Sequence, residues 1–276
     1  MLTIDENLCA PVSSEDNSAA AVLNEFAISL LSGGHVNLSI ARHFQIPTTN
    51  TFVVVAVSFS ARPDAAKTHP AATIPETRLN EIRRCLAAQC GFPVPALLGP
   101  SCGTILIPGA CVVARRIGDL PALLSAIARE STTAVAVESA TASLSEAADI
   151  AHELLDLAIC LHKEPRLYVL GELALEYQIT RPGPGRDHLV SLLEPLEKHP
   201  ELVQTLAALI QQGFDRKRSA RRLCVHPNTI DYRMRRISAL TGLPATHASH
   251  WRLFAAYTAR TFVRAEHAQH RGAGAR

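Results

Sequence analysis

Aromatic residues are scarce, at 5% of the 276-residue chain, and no apolar run approaches the about 18 residues that a membrane-spanning helix requires. The longest candidate, around Phe52 to Phe59, has only the length of a strand, so no membrane partner is expected. The seven cysteines are scattered, odd in number and without a Cys-x-x-Cys pair, which argues for free thiols in a reducing compartment rather than a disulfide framework. The N-terminal stretch MLTIDENLCAPVSSED lacks the basic start of a signal peptide, and a cytoplasmic location is expected. Neither GxxxxGK(S/T) nor GxGxxG stands at a strand-to-helix junction, so neither ATP nor a dinucleotide is implied. His247 with His250, and His267 with His270, are spaced one helical turn apart, but neither pair has a third Cys or Asp ligand beside it. No metal and no cofactor are expected.

What the chain does have is apolar substance, 47% of residues, enough for one large or two ordinary domains and incompatible with disorder throughout. It also has a hidden charge asymmetry. The formal net charge of +2 conceals 14 basic against 22 acidic residues up to position 212, and 13 against 3 from there to the end. An acidic body joined to a basic end suggests that the end meets a polyanion.

Patterning divides the chain further. Residues 1–18 are polar and aperiodic and are expected to be disordered; 19–47 read as helical, with Val22, Leu23, Phe26, Leu30 and Leu31 at helical spacing. From 48 to 180 strands and helices alternate, beginning with the β-branched run FVVVAVSFS, which reads as a strand buried on both faces. Such alternation predicts an α/β sandwich. The run RPGPG interrupts every regular pattern, placing a linker at 181–187. Residues 188–266 read as helices only, with a flexible tail at 267–276.

Within the basic end, SARRLCVHPNTIDYRMRRISALTG carries the requirements of a helix-turn-helix: two short helices, a small residue (Ala220) where they approach, and a second helix apolar on one side. Leu223 and Val225 point inward, and Pro227 can open a helix without losing a needed N–H. Ile230, Met234 and Ile237 form one stripe. Asn228, Tyr232 and Arg235 lie opposite it, flanked by Thr229 and Arg236, with Arg233 nearer the edge. Asn suits adenine edges, Arg suits guanine, and Thr or Tyr suits phosphate oxygens. The preceding helix adds Arg216, Lys217, Arg218, Arg221 and Arg222. His226 is expected to cap the second helix rather than to touch DNA. Double-stranded DNA is the expected partner, bound by a homodimer because one such motif buries little surface.

The stretch 200–242 resembles the C-terminal helix-turn-helix of the PucR/CdaR family of bacterial transcriptional regulators. The resemblance rests on Thr205 and Leu206, Ala220 and Leu223, Val225 and His226, Asn228 and Thr229, and Tyr232 and Arg233. It implies DNA binding and, just upstream, a degenerate GGDEF-like α/β domain, to which the element order at 51–170 is similar. A small-molecule effector is compatible with the family, but residues 1–45 are too short for the separate sensor domain of many members, so no effector identity carries over. Asp231 sets a negative charge beside the DNA face, and the preferred base sequence is expected to differ accordingly.

A rival chemistry is hydrolysis. Gly99, Ser101 and Gly103 satisfy GxSxG, and Asp149 with His152 or His162 stands in the chain order of an α/β-hydrolase. That motif requires strand, tight turn and helix, whereas TILIPG after Gly103 reads as a second strand. A hairpin over 96–108 is therefore expected. The same hairpin holds no Asp or Glu between Gly99 and Gly103, where an active cyclase of the GGDEF type would need oxygen ligands for a metal, so cyclase activity is not expected.

Overall fold

In the computed structural model, residues 14–33, 37–47, 50–60, 73–244 and 246–273 are described. They form two compact units that divide between Leu173 and Ala174. The first unit is α/β. Its sheet has the order β2-β3-β1-β4-β5, built from β1 Thr51–Ser60, β2 Ala96–Leu98, β3 Cys102–Pro108, β4 Ser131–Ala140 and β5 Leu167–Val169. β1 is central, antiparallel to both β3 and β4, with Val55 opposite Ile105 on one side and Ala136 on the other. That position explains its composition: Val54, Val55, Ala56 and Val57 are all wholly buried, as a strand covered on both faces requires. β4 and β5 run parallel, so a crossover must join them, and the long helix supplies it.

The helices of this unit are α1 Ser14–Leu31, α2 Leu38–His43, α3 Glu76–Cys90, α4 Val112–Arg115, α5 Leu120–Ala128 and α6 Leu144–Cys160. α6 packs on β1 and β4, α1 on α6 and β2, and α3 on α5. Asn37 opens α2 by accepting from the backbone N–H groups of Ser39 and Ile40 at 3.1 and 3.3 Å, a side-chain cap of the usual kind. α1 begins at Ser14, inside the stretch expected to be disordered; the rest of that stretch, 1–13, lies outside the described residues.

The segment 96–108 is a hairpin, as its sequence predicts. Gly99 donates to the carbonyl of Cys102 at 2.8 Å to close the turn. Gly103 answers to close packing rather than to chemistry: a Cβ there would lie 2.6 Å from the Leu97 carbonyl oxygen. Both glycines of the GxSxG pattern thus have a place in the strand pairing.

β5 leads directly into α7 Leu170–Thr180, after which Gly183 turns the chain into α8 Pro184–Ser191. The proline–glycine run does end a helix, but the compact units divide earlier, between Leu173 and Ala174 inside α7. That unit continues with α9 Pro200–Gln211, α10 Arg216–Arg222, α11 Pro227–Thr241 and α12 His250–Ala273. α12 runs on through 267–273, a segment expected to be flexible. Leu196, Leu202, Leu206, Leu209, Ile230 and Ile237 form the core of the unit. Ion pairs fasten α12: Arg186 to Glu266 at 3.2 Å and Arg260 to Glu197 at 3.6 Å. Burial, offset in part by Glu197, pushes the Arg260 guanidinium below its ordinary range.

Ile105 is fully buried against the central strand, so Ile105→Ala is expected to lower the unfolding free energy of the α/β unit by about 2–5 kcal/mol. Urea denaturation monitored by circular dichroism measures this; an unshifted midpoint would contradict the packing described.

Candidate nucleic-acid interface

The site begins with a cap. Asp215 accepts from the backbone N–H of Arg218 at 2.9 Å, starting α10 and holding the Asp215 carboxyl below its usual range. Ser219 donates to the Asp215 carbonyl at 2.7 Å and to that of Ala208 at 3.3 Å, tying α10 to α9. Ala220, only 2% exposed, is the small residue that lets α10 and α11 approach. The chain then turns through Cys224, at φ 53°, and Val225 donates back to the Ala220 carbonyl at 3.0 Å. His226 caps α11 as expected, its Nδ1 accepting from the Asn228 N–H at 3.2 Å. Gly242, at φ 71°, closes the helix by donating to Ser238, the left-handed geometry that glycine reaches without strain.

The division of α11 agrees with the sequence pattern. Ile230, Met234 and Ile237 are buried at 0%, 4% and 0% exposure. On the other side Asn228, Tyr232, Arg235 and Arg236 are exposed, Tyr232 to 60%; Thr229 is half-buried. Arg216, Lys217, Arg218, Arg221 and Arg222 of α10 are all exposed too. The two helices therefore present their polar and basic side chains to solvent and bury the apolar ones.

Arg233 is placed differently. It is half-buried, and its Nη1 donates to Thr205 Oγ1 at 3.1 Å, linking α11 to α9 across 28 residues. Asp231 is likewise engaged: Arg216 Nη1 lies 2.7 Å from its Oδ1. The negative charge beside the exposed face is met by a guanidinium from α10, and the same pair braces one helix against the other. Sequence patterning missed both pairings. Thr205 and Arg233 stood in the same family pattern, which was the available signal; for Arg216 and Asp231 there was none.

At the start of α12, His250 stacks on Phe214 with ring centroids 4.1 Å apart and planes 4° from parallel. The His247 ring lies 4.9 Å from that of His250. Burial first, then His247 and Arg216, push the His250 imidazole below its ordinary range, favouring the neutral ring that stacks on Phe214. Among the described residues no group of three His, Cys, Asp or Glu side chains could hold a metal ion; the side chains of His267 and His270 lie outside them. No described helix is long and apolar enough to cross a membrane.

Ser101 lies in the hairpin turn, where its carbonyl accepts from the Phe59 N–H at 2.9 Å. His152 Nε2 is 2.7 Å from Thr104 Oγ1. A hydrolase nucleophile sits on a turn from a strand into a helix, whereas the chain beyond Ser101 enters strand β3.

No curated protein matches this chain significantly. Among solved structures, the crystal structure of a regulator of polyketide synthase expression from Bifidobacterium adolescentis is similar at 17% identity and a TM-score of 0.38, over 92% of this chain and 95% of that one. Residues 202–259, which contain most of α9, both helices of the braced pair and the start of α12, match the family described as the PucR C-terminal helix-turn-helix domain, and the segment is similar to that domain.

Proposed function

We propose that this protein is a transcriptional regulator acting in the cytoplasm, which binds operator DNA through α10 and α11 as a homodimer. One observation carries the reading: α11 buries Ile230, Met234 and Ile237 while exposing Asn228, Tyr232, Arg235 and Arg236 beside the exposed basic residues of α10. A helix so divided can lie in a major groove with its amide and guanidinium groups on base edges. In this reading Asn228, Tyr232 and Arg235 reach bases. Arg218, Arg221, Arg222, Thr229 and Arg236 hold the phosphate backbone, and so does Arg233 through the donors that Thr205 leaves free. The α/β unit, a degenerate GGDEF-like domain, serves self-association and signal relay. The acidic excess before residue 213 supports this division, because basic DNA-reading modules repel each other and need another part of the chain to bring them together.

Mapping the DNA bound across the genome supplies the operator, and gel-shift titrations on it then separate the roles of two arginines. Arg235→Ala is expected to cost about 1–3 kcal/mol on the operator and to relax preference at one or two base pairs. Arg222→Ala is expected to weaken operator and random DNA alike and to reduce the salt dependence by about one unit, the signature of a lost phosphate contact. Indistinguishable sequence preferences for the two variants would refute this assignment of the outward face. Sedimentation of the full chain at micromolar concentration is expected to show dimers; a monomer would remove the two-fold arrangement on DNA.

A further inference from the structure

Arg216 is the first residue of α10, and its side chain is fixed at both ends. At the backbone, Phe214 donates to the Leu209 carbonyl of α9 at 2.6 Å and stacks on His250 of α12. Asp215 caps the helix through the Arg218 N–H, and Ser219 ties α10 to α9. At the tip, Nη1 donates to Asp231 Oδ1 of α11 at 2.7 Å. The start of α10 is thus anchored on α9 and α12, and the guanidinium on α11.

That guanidinium is not used up. The side chain is 53% exposed, and only Nη1 has a partner among the described residues. Nε and Nη2, the edge through which a guanidinium grips two oxygens of one anion, have none. Asp231, in turn, stands on the helix that presents the outward face. It directly precedes Tyr232, which is exposed, and it lies about 40° around α11 from Arg235 at 3.6 residues per turn. Its side chain is 35% exposed, so an unpaired carboxylate there would repel the phosphates of a bound duplex.

We propose that Arg216 is a further phosphate-binding residue and that Asp231 is its positioning residue, the carboxylate holding the guanidinium so that its Nε–Nη2 edge takes one phosphodiester of the DNA backbone. The first helix of such a pair crosses the backbone where the second enters the groove. An arginine already held at both ends loses less side-chain freedom on binding than an untethered one. The assignment rests on the reading of α10 and α11 as a DNA-binding pair, and it gives a favourable role to the one carboxylate of α11.

A double-mutant cycle on the full chain, read by titration of operator and random duplexes, tests it. Arg216→Gln is expected to weaken operator binding about fivefold or more and to lower the salt dependence by about one unit. Asp231→Ala removes a negative charge, so simple electrostatics favours tighter binding to any DNA. Positioning predicts the opposite on the operator: about threefold or more weaker binding while Arg216 is present, and about twofold or more tighter binding in the Arg216→Gln background, where only repulsion is removed. Arg216→Lys, which keeps the charge but not the fork, is expected to keep the salt dependence and still bind the operator more weakly. Thermal melting shows that each variant is folded; should Asp231→Ala fail to fold, Asp231→Asn takes its place. Operator affinity unchanged by Arg216→Gln, or an effect of the Asp231 substitution that is absent, tightening, or of the same sign in both backgrounds, would overturn the proposal while DNA binding by the unsubstituted chain stands. Failure of the unsubstituted chain to bind any duplex would overturn the DNA-binding reading and this assignment with it.

Discussion

Everything about the basic end of the chain depends on which side of α11 is buried. Ile230, Met234 and Ile237 are held in the core by Leu206 and Leu209 of α9 and by Leu253 of α12, and once that stripe is inside, the side bearing Asn228, Tyr232 and Arg235 can only face outward. Apolar burial of this kind contributes about 1.5–3 kcal/mol for each large side chain, far more than the polar contacts around it. The orientation of the recognition surface is therefore set by hydrophobic packing, and the polar residues inherit their positions from it.

Polar pairing refines what packing imposes. Arg216 with Asp231 joins α10 to α11, and Arg233 with Thr205 joins α11 to α9. The first pair is about half-exposed on the Arg216 side, so solvent screening keeps its contribution to stability small; its weight lies in fixing the helix pair and in answering the charge of Asp231. The second draws one Nη of an arginine inward from a basic surface. A count of arginines along these helices overstates the number wholly free to reach DNA.

The α/β unit shows how a sequence motif dissolves into structure. Gly99 and Gly103 match the spacing of a nucleophile turn, yet one closes a hairpin and the other is forced by the approach of the Leu97 carbonyl. His152, third in the hydrolase order, is engaged by Thr104 on β3. Spacing along the chain cannot separate a strained strand-to-helix turn from a tight hairpin; the periodicity of the residues beyond the turn can.

The sequence by itself determined the elements whose pattern is local: the doubly buried β1, the hairpin over 96–108, the stripe on α11, and the His226 cap two residues before its partner N–H. Each depends on contacts within a few residues, or on burial that apolar periodicity records directly. The tertiary structure decided the rest. The chain divides inside α7, where the RPGPG run had suggested a later boundary. The meeting of Arg216 with Asp231 and of Thr205 with Arg233 joins residues apart in the chain. Such pairings arise only when packed helices bring distant side chains within a few ångströms, and no local periodicity encodes that distance.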